Sequence, residues 1–238
     1  MPSVVTLENP SPSPRVRLAV GGLTPLTTID YPGRLSAVVY CRGCPWRCGY
    51  CHNASLQSPE AQVADTWTPI HNFLNRRRGL LDAVVFSGGE PTSQKALFAA
   101  VRDIGALGFE VGLHTAGPYP NRLRQLLPLI DWVGMDIKAP LNRYDAITGV
   151  PGSGDRAFAS ARLILDHGIA YEFRTTLDLT LLSRDDVVRL AETLADLGVR
   201  NFALQRARDE KRQPTSSWLD DATIGRIESC FVNFVMRG

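Results

Sequence analysis

The chain has no long apolar run, no excess of one charge, and almost no cysteine outside a single stretch. Each shortage excludes something. A bilayer-spanning helix needs about 20 consecutive apolar residues, and no segment supplies them, so a membrane protein is not expected. The first residues lack the charged-then-apolar order of a signal peptide. Lys and Arg number 26 against 24 Asp and Glu, a net charge of +2. That balance gives no case for binding nucleic acid or an acidic membrane. With 44% hydrophobic and 21% charged residues, the composition is that of an ordinary globular protein. Its 238 residues allow one large domain or two small ones. Clustered cysteines without a secretory signal fit a reducing, cytoplasmic setting.

Four of the five cysteines lie within eleven positions, in Cys41-Arg-Gly-Cys44-Pro-Trp-Arg-Cys48-Gly-Tyr-Cys51-His-Asn53. Thiolates this close in sequence converge on one point, and a metal centre is the usual reason. A zinc ribbon joins two Cys-x2-Cys pairs through a loop of roughly 15–20 residues. Only three residues separate Cys44 from Cys48, too few for that closure. A ferredoxin-type cluster takes four cysteines, one usually distant; the remaining cysteine, Cys230, lies near the other end of the chain. A structural zinc or redox cluster stays open as the alternative. Cys41 ends an apolar run and reads as a buried strand thiol, with a ligand role as the second possibility.

Residues 1–17 begin with a Ser- and Pro-rich stretch and read as a flexible tail, and residues 18–238 read as a single domain. Residues 21–33, Gly-Gly-Leu-Thr-Pro-Leu-Thr-Thr-Ile-Asp-Tyr-Pro-Gly, read as a loop or short hairpin. Apolar, β-branched runs at 35–41, 83–86, 109–114, 132–137, 171–177 and 201–206 predict six strands. Helical spacing is read over 66–78, 95–107, 121–127, 156–167, 183–197 and 224–235. Thr68 before Pro69 is the expected start signal of the first helix, and Ser183 the N-cap of the fifth. Cys230 falls on the apolar face of the last predicted helix and is expected to be buried there. Six alternating units of roughly 30 residues each argue for a parallel sheet with helices packed outside. A full eight-unit barrel needs about 250 residues. The expected fold is therefore an incomplete (β/α)6 TIM-type barrel with an open side.

The strands end in polar or glycine residues, which in a barrel share one face: Ser87-Gly88-Gly89-Glu90, Leu113-His114-Thr115, Asp136-Ile137-Lys138 and Arg174. Glycine lets the main chain approach a ligand closely. For Lys138 and Arg174 the plain alternative is a salt bridge, with Asp136 or Glu172. Trp46, between two of the cysteines, is expected to shield what they hold. His52 is expected to make an outer hydrogen bond rather than bind metal.

The Cys44-x3-Cys48-x2-Cys51 pattern, followed one βα unit later by Gly88-Gly89-Glu90, resembles the signature of the radical S-adenosylmethionine (SAM) superfamily. From residue 21 to 206 the chain looks like its glycyl radical enzyme activating enzymes, and residues 21–33 resemble the subgroup that activates anaerobic ribonucleoside-triphosphate reductase. The resemblance implies a [4Fe–4S] cluster on Cys44, Cys48 and Cys51, whose fourth iron binds SAM. Reductive cleavage of SAM then gives a 5′-deoxyadenosyl radical that generates a glycyl radical on a partner enzyme. By position, Tyr50 would lie near the adenine, Gly88, Gly89 and Glu90 would hold the methionine moiety, and Asp136 and Lys138 would sit by the SAM carboxylate. Arg174 would bind the carboxylate or ribose. His114 stands where a relative has an aspartate that helps bind a monovalent cation. Imidazole suits such a hard ion poorly, so His114 is assigned to SAM or the incoming substrate. The implied partners are a glycyl radical enzyme and a flavodoxin or ferredoxin as reductant. Five cysteines do not suffice for a second full cluster. Two other readings remain: a radical SAM enzyme acting on a small molecule such as a deazapurine precursor, and an Fe–S electron carrier.

Overall fold

The structure, a computed structural model, describes residues 17–59, 65–178, 180–207 and 218–237. Most of the expected N-terminal tail lies outside the described residues. The first strand, β1 (Val20–Thr27), pairs antiparallel with β2 (Ser36–Cys41), so residues 21–33 form a hairpin. From β2 onward the chain alternates. Helix α1 (Trp67–Asn75) leads to β3 (Ala83–Gly88), α2 (Leu97–Ala106) to β4 (Glu110–Thr115), and α3 (Pro120–Leu126) to β5 (Trp132–Asp136). Two helices, α4 (Leu141–Thr148) and α5 (Ser153–His167), precede β6 (Ala170–Leu177). Then come α6 (Arg184–Asp196), β7 (Asn201–Arg206), α7 (Asp221–Glu228) and β8 (Asn233–Arg237).

The eight strands form one sheet in sequence order, β2 to β8 all parallel. Each unit hands its strand to the next neighbour, as short right-handed crossovers require. With β1 and β8 at opposite ends of that order, the barrel is incomplete and open between them. Six βα units are present, and β8 follows the sixth.

Strand alternation divides the side chains into two cores. One face of β2 and β3 sends Val39 and Phe86 into the large core beneath the helices, with Leu113, Met135, Phe173 and Leu204. The other face sends Val38, Ala83 and Val85 into a small inner cluster with Tyr31 and Trp132. Tyr31 comes from the β1–β2 turn and stacks on Trp132 at 5.2 Å. The hairpin thus fills the N-terminal end of the barrel.

Several expectations are corrected. The helix expected over 224–235 stops at Glu228, and Asn233–Arg237 is a strand paired with β7. Asn-Phe-Val-Met is short and apolar enough to satisfy either period, and the open ladder of β7 decides it. Cys230 consequently sits half-buried in the turn after α7, its thiol donating to the Arg226 carbonyl at 3.3 Å. Helix α4 had no counterpart in the pattern, being only eight residues long with a polar face. Helix α1 starts at Trp67 rather than at Pro69, because the Asp65 carboxylate accepts from the Trp67 and Thr68 amides at 3.0 and 3.1 Å. Ser183 does cap α6, in a reciprocal box with Asp186. Among the described residues no helix is long and apolar enough to cross a membrane.

Candidate active site

The cysteine loop leaves the C-terminal end of β2, the end at which parallel α/β folds place their ligands. Cys41 is still in the strand, fully buried, and burial pushes its thiol pKa far up. It is a core side chain. Cys44, Cys48 and Cys51 lie beyond it, each half-buried.

The loop is held by main-chain bonds. Gly43 N donates to Leu56 O at 2.7 Å, Cys44 N to Gln57 O at 3.1 Å, and Cys51 N to Cys48 O at 3.1 Å. Gln94 anchors its first residue from α2's side, bonding Ala19 and the Arg42 carbonyl at 2.7–2.9 Å. On the far side Arg47 N donates to Thr148 O at 2.8 Å, tying the loop to the end of α4.

The end of β3 presses directly on this loop. Gly89 N donates to Cys41 O and Glu90 N to Gly43 O, both at 2.8 Å. A Cβ on Gly88 would stand 2.5 Å from the Cys41 main chain, and one on Gly89 2.5 Å from Gly43 O. Gly88 also has φ +110°, a conformation open to glycine alone at low cost. The two glycines are thus required by strand-to-loop contact as well as by any ligand. Asn53 closes the same junction, its amide donating to Gly88 O at 3.1 Å.

Glu90 has turned away from the mouth of the barrel. Its carboxylate is buried and accepts from Thr92 N (3.0 Å), Thr92 Oγ1 (2.5 Å), Thr115 Oγ1 (2.8 Å) and Ala116 N (2.9 Å). Burial raises its pKa and those four bonds oppose the rise. Its side chain ties the ends of β3 and β4 together.

Lys138 follows β5. Its ammonium lies 3.5 Å from the Asp136 carboxylate and 5.5 Å from the centre of the buried Tyr50 ring. Burial works against the charge, but Tyr50, Asp136 and the Cys48 thiol outweigh it and hold the Lys138 pKa well above its ordinary range. The Asp136 side chain is 46% exposed. Tyr144 of α4 fixes the turn by accepting from Lys138 N at 3.2 Å. These residues share the rim with Cys48, whose thiol is pushed up by burial and pulled down by Lys138. Burial likewise moves Cys44 up to about 11.

His114 and Arg174 lie deeper and are engaged with protein. His114 Nε2 is 2.9 Å from Asp30 O and Nδ1 is 3.2 Å from Ser87 Oγ. Arg174 Nη2 lies 3.2 Å from the same Nε2; a neutral ring with its proton on Nε2 serves the shorter contact, donating to the carbonyl, and accepts from serine at Nδ1. Burial and the adjacent Arg174 guanidinium hold its pKa well below the usual value. Arg174 pairs with Glu172 at 2.9 Å and lies over Trp132 at 5.2 Å. Glu172 also accepts two bonds from Arg237 of β8, at 2.6 and 2.7 Å. Arg174 thus makes the salt bridge to Glu172, and both ring nitrogens of His114 lie within hydrogen-bond reach of protein atoms.

The donor set at the mouth fits an iron–sulfur cluster. Among the described residues no three His, Cys, Asp or Glu side chains are gathered so as to hold one metal ion. A cluster is a wider target, because each thiolate takes a separate iron. Trp46, fully buried between two of the cysteines, has an indole N–H with no protein partner. A buried donor of this kind calls for an acceptor from outside the chain. Asn53, Gln94 and Tyr144 were not legible as site residues. Only Asn53, at the end of the cysteine stretch, carried a signal, and its amide works on Gly88.

Residues 38–194 match the model of the radical SAM superfamily. The chain is 30% identical over 235 residues to a Methanocaldococcus jannaschii protein named as a glycyl-radical enzyme activating enzyme, covering 93% of this chain and 97% of that one. It is 29% identical over 196 residues to the pyruvate formate-lyase-activating enzyme of Streptococcus mutans, covering 74% and 72%. The fold is shared with a radical SAM methyltransferase from Sphaerobacter thermophilus, with a TM-score of 0.67 at 18% identity, over 89% of this chain and 68% of that one.

Proposed function

Because the chain belongs to the radical SAM superfamily and to its glycyl-radical enzyme activating enzymes, we propose that it installs a glycyl radical on a partner enzyme, and that this partner is the anaerobic ribonucleoside-triphosphate reductase. When bound, a [4Fe–4S] cluster and SAM supply an electron and a 5′-deoxyadenosyl radical able to take a glycine Cα hydrogen. The chain's own residues place and protect that chemistry. Cys44, Cys48 and Cys51 hold the cluster. The Gly88 and Gly89 main chain lies beside the loop to receive the amino end of SAM. Lys138, kept charged, offers a positive group to its carboxylate, with Asp136 beside it. The Tyr50 ring, under the Lys138 ammonium, forms a wall for the adenine. Trp46 excludes water from between the cysteines.

The observation that carries this reading is the half-buried cysteine trio locked against Gly88–Gly89 at the open mouth of the barrel. The gap between β1 and β8 is the entry for the partner's glycine loop. Residues 21–33, which resemble the subgroup acting on the anaerobic reductase, support that partner. The reductant is read as flavodoxin or ferredoxin and the setting as cytoplasmic.

The test is electron paramagnetic resonance on anaerobically reconstituted, reduced protein mixed with SAM and the anaerobic reductase of the same cell. A glycyl doublet on the reductase is the expected result. Formation of 5′-deoxyadenosine with no doublet on it refutes that partner; no 5′-deoxyadenosine at all refutes the chemistry.

A further inference from the structure

A cleft of about 360 Å³ opens beside the cysteine loop, between it and the residues after β3 and β4. Arg42, Cys44, Ser93, Gln94 and Tyr119 are among the residues that line it. At Gln94 it adjoins a second hollow of about 340 Å³ between α2 and α3, lined in part by Lys95, Phe98, Arg122 and Leu126. The two form one trough. Its described walls carry three cations, Arg42, Lys95 and Arg122, and no carboxylate. In a chain whose charges nearly cancel, three cations and no carboxylate among the described lining residues are a local feature rather than a reflection of composition.

The trough is also built. Arg122 donates to the Thr92 and Ser93 carbonyls at 2.8 and 2.7 Å and lies over the Tyr119 ring at 4.4 Å. Arg42 Nε is buried with no partner. Phe98, Leu126, Pro45 of the cysteine loop and Pro59 supply apolar contact. At one end stands Cys44, the one cysteine of the trio that this surface reaches.

We propose that this trough is the docking surface for an acidic one-electron carrier protein. The inference rests on the reading of Cys44 as a cluster ligand. A positive surface raises the encounter rate of an acidic partner and fixes its orientation. An electron donor seated there comes close to the cluster through Cys44 and leaves the barrel mouth free for the substrate loop. The transfer is one electron: the carrier's hydroquinone becomes its semiquinone and the cluster is reduced by one.

The probe is flavodoxin, with the holoprotein carrying Lys95→Glu and Gln125→Glu together. Both positions are exposed, line the trough and have no role in the cluster or SAM site. Binding is read by flavin fluorescence anisotropy, and cluster bleaching by stopped-flow with flavodoxin hydroquinone or with photoreduced 5-deazariboflavin, which is uncharged. Affinity and flavodoxin-driven reduction are expected to fall about tenfold at low salt, and their dependence on salt to weaken. Deazaflavin-driven reduction is expected to stay unchanged. Equal flavodoxin binding and reduction in parent and variant overturn the proposal. So does an equal loss with both reductants, or a loss of radical transfer to the glycyl radical enzyme when deazaflavin supplies the electron, which would assign the trough to that enzyme. If the parent itself shows no cluster or no SAM cleavage with deazaflavin, the functional reading fails instead.

Discussion

At the mouth of the barrel Cys44, Cys48, Cys51, Asp136 and the buried donor of Trp46 are left partly open. Deeper on the same inner face, Ser87, His114, Arg174, Glu172 and Arg237 bond one another, and the turn carrying Asp30 and Tyr31 closes over them. Both groups are polar residues on or near strand ends, and sequence pattern does not separate them. The difference is satisfaction. A closed network of buried polar groups rigidifies a fold, while an open one awaits a ligand. Substitutions in the two groups should therefore divide cleanly between loss of function and loss of stability.

The largest effect is expected at the mouth. Cys48→Ala should remove nearly all cluster iron and lower SAM cleavage by about a thousandfold or more, an expected loss of roughly 4 kcal/mol in catalysis. Cys41→Ala should keep its iron while losing about 1–2 kcal/mol of stability, since it only empties space in the core. Iron analysis and urea unfolding of the two variants check this. Iron loss in Cys41→Ala would place that residue in the open group.

Gly88→Ala sharpens the comparison at the boundary, because here fold and site share one contact. A Cβ there meets the Cys41 backbone at 2.5 Å with φ at +110°. Strain of this kind should cost about 3 kcal/mol and displace the loop, so the unfolding midpoint and cluster loading should fall together. A fall in SAM affinity alone, with loading and stability kept, would mean that the glycine serves the ligand only.

The deep group should respond in the opposite sense. Arg174→Ala removes one partner of a largely buried carboxylate, yet Glu172 keeps Arg237, so a loss of about 2 kcal/mol is expected, below that of a fully orphaned charge. Arg237→Ala should cost under about 1 kcal/mol, because that side chain is 37% exposed. SAM affinity by equilibrium dialysis should stay within about twofold in both. A tenfold weakening in Arg174→Ala would reopen the arginine as a ligand contact.

The barrel was legible because each strand is a short β-branched run and each helix after it repeats its apolar face. The cysteine loop at the end of β2 was legible because its spacing is local in sequence. What escaped depends on non-local contact. The sequence does not show that Thr115 and Ala116, at the end of the next strand, donate to the Glu90 carboxylate. Nor does it show that His114 meets the Asp30 carbonyl, from a turn 84 positions earlier. The strand over Asn233–Arg237 depends on an unpaired edge of β7 that no local pattern displays.

The smallest effect concerns acid. The folded state holds His114 neutral with its pKa well below 6.5, so the unfolded chain takes up that proton first. Stability should be intact above about pH 6.5 and fall as the pH drops toward the folded value, by up to about 1.4 kcal/mol per pH unit for one proton. Glu172 has the depressed carboxylate pKa of a paired acid, below 4.5. Its contribution is present above 4.5 and lost only at lower pH, so between pH 6.5 and 4.5 the histidines act without it. His71, buried on α1 with its pKa also lowered by burial, titrates in the first window as well. His114→Gln keeps a donor for Asp30 and an acceptor for Ser87 but carries no proton to gain. It should flatten, without abolishing, the loss of urea midpoint between pH 6.5 and 5, and leave the steeper loss below 4.5 in place. An unchanged slope in the first window would mean that acid enters the protein through α1 and that the deep network tolerates a charged imidazole.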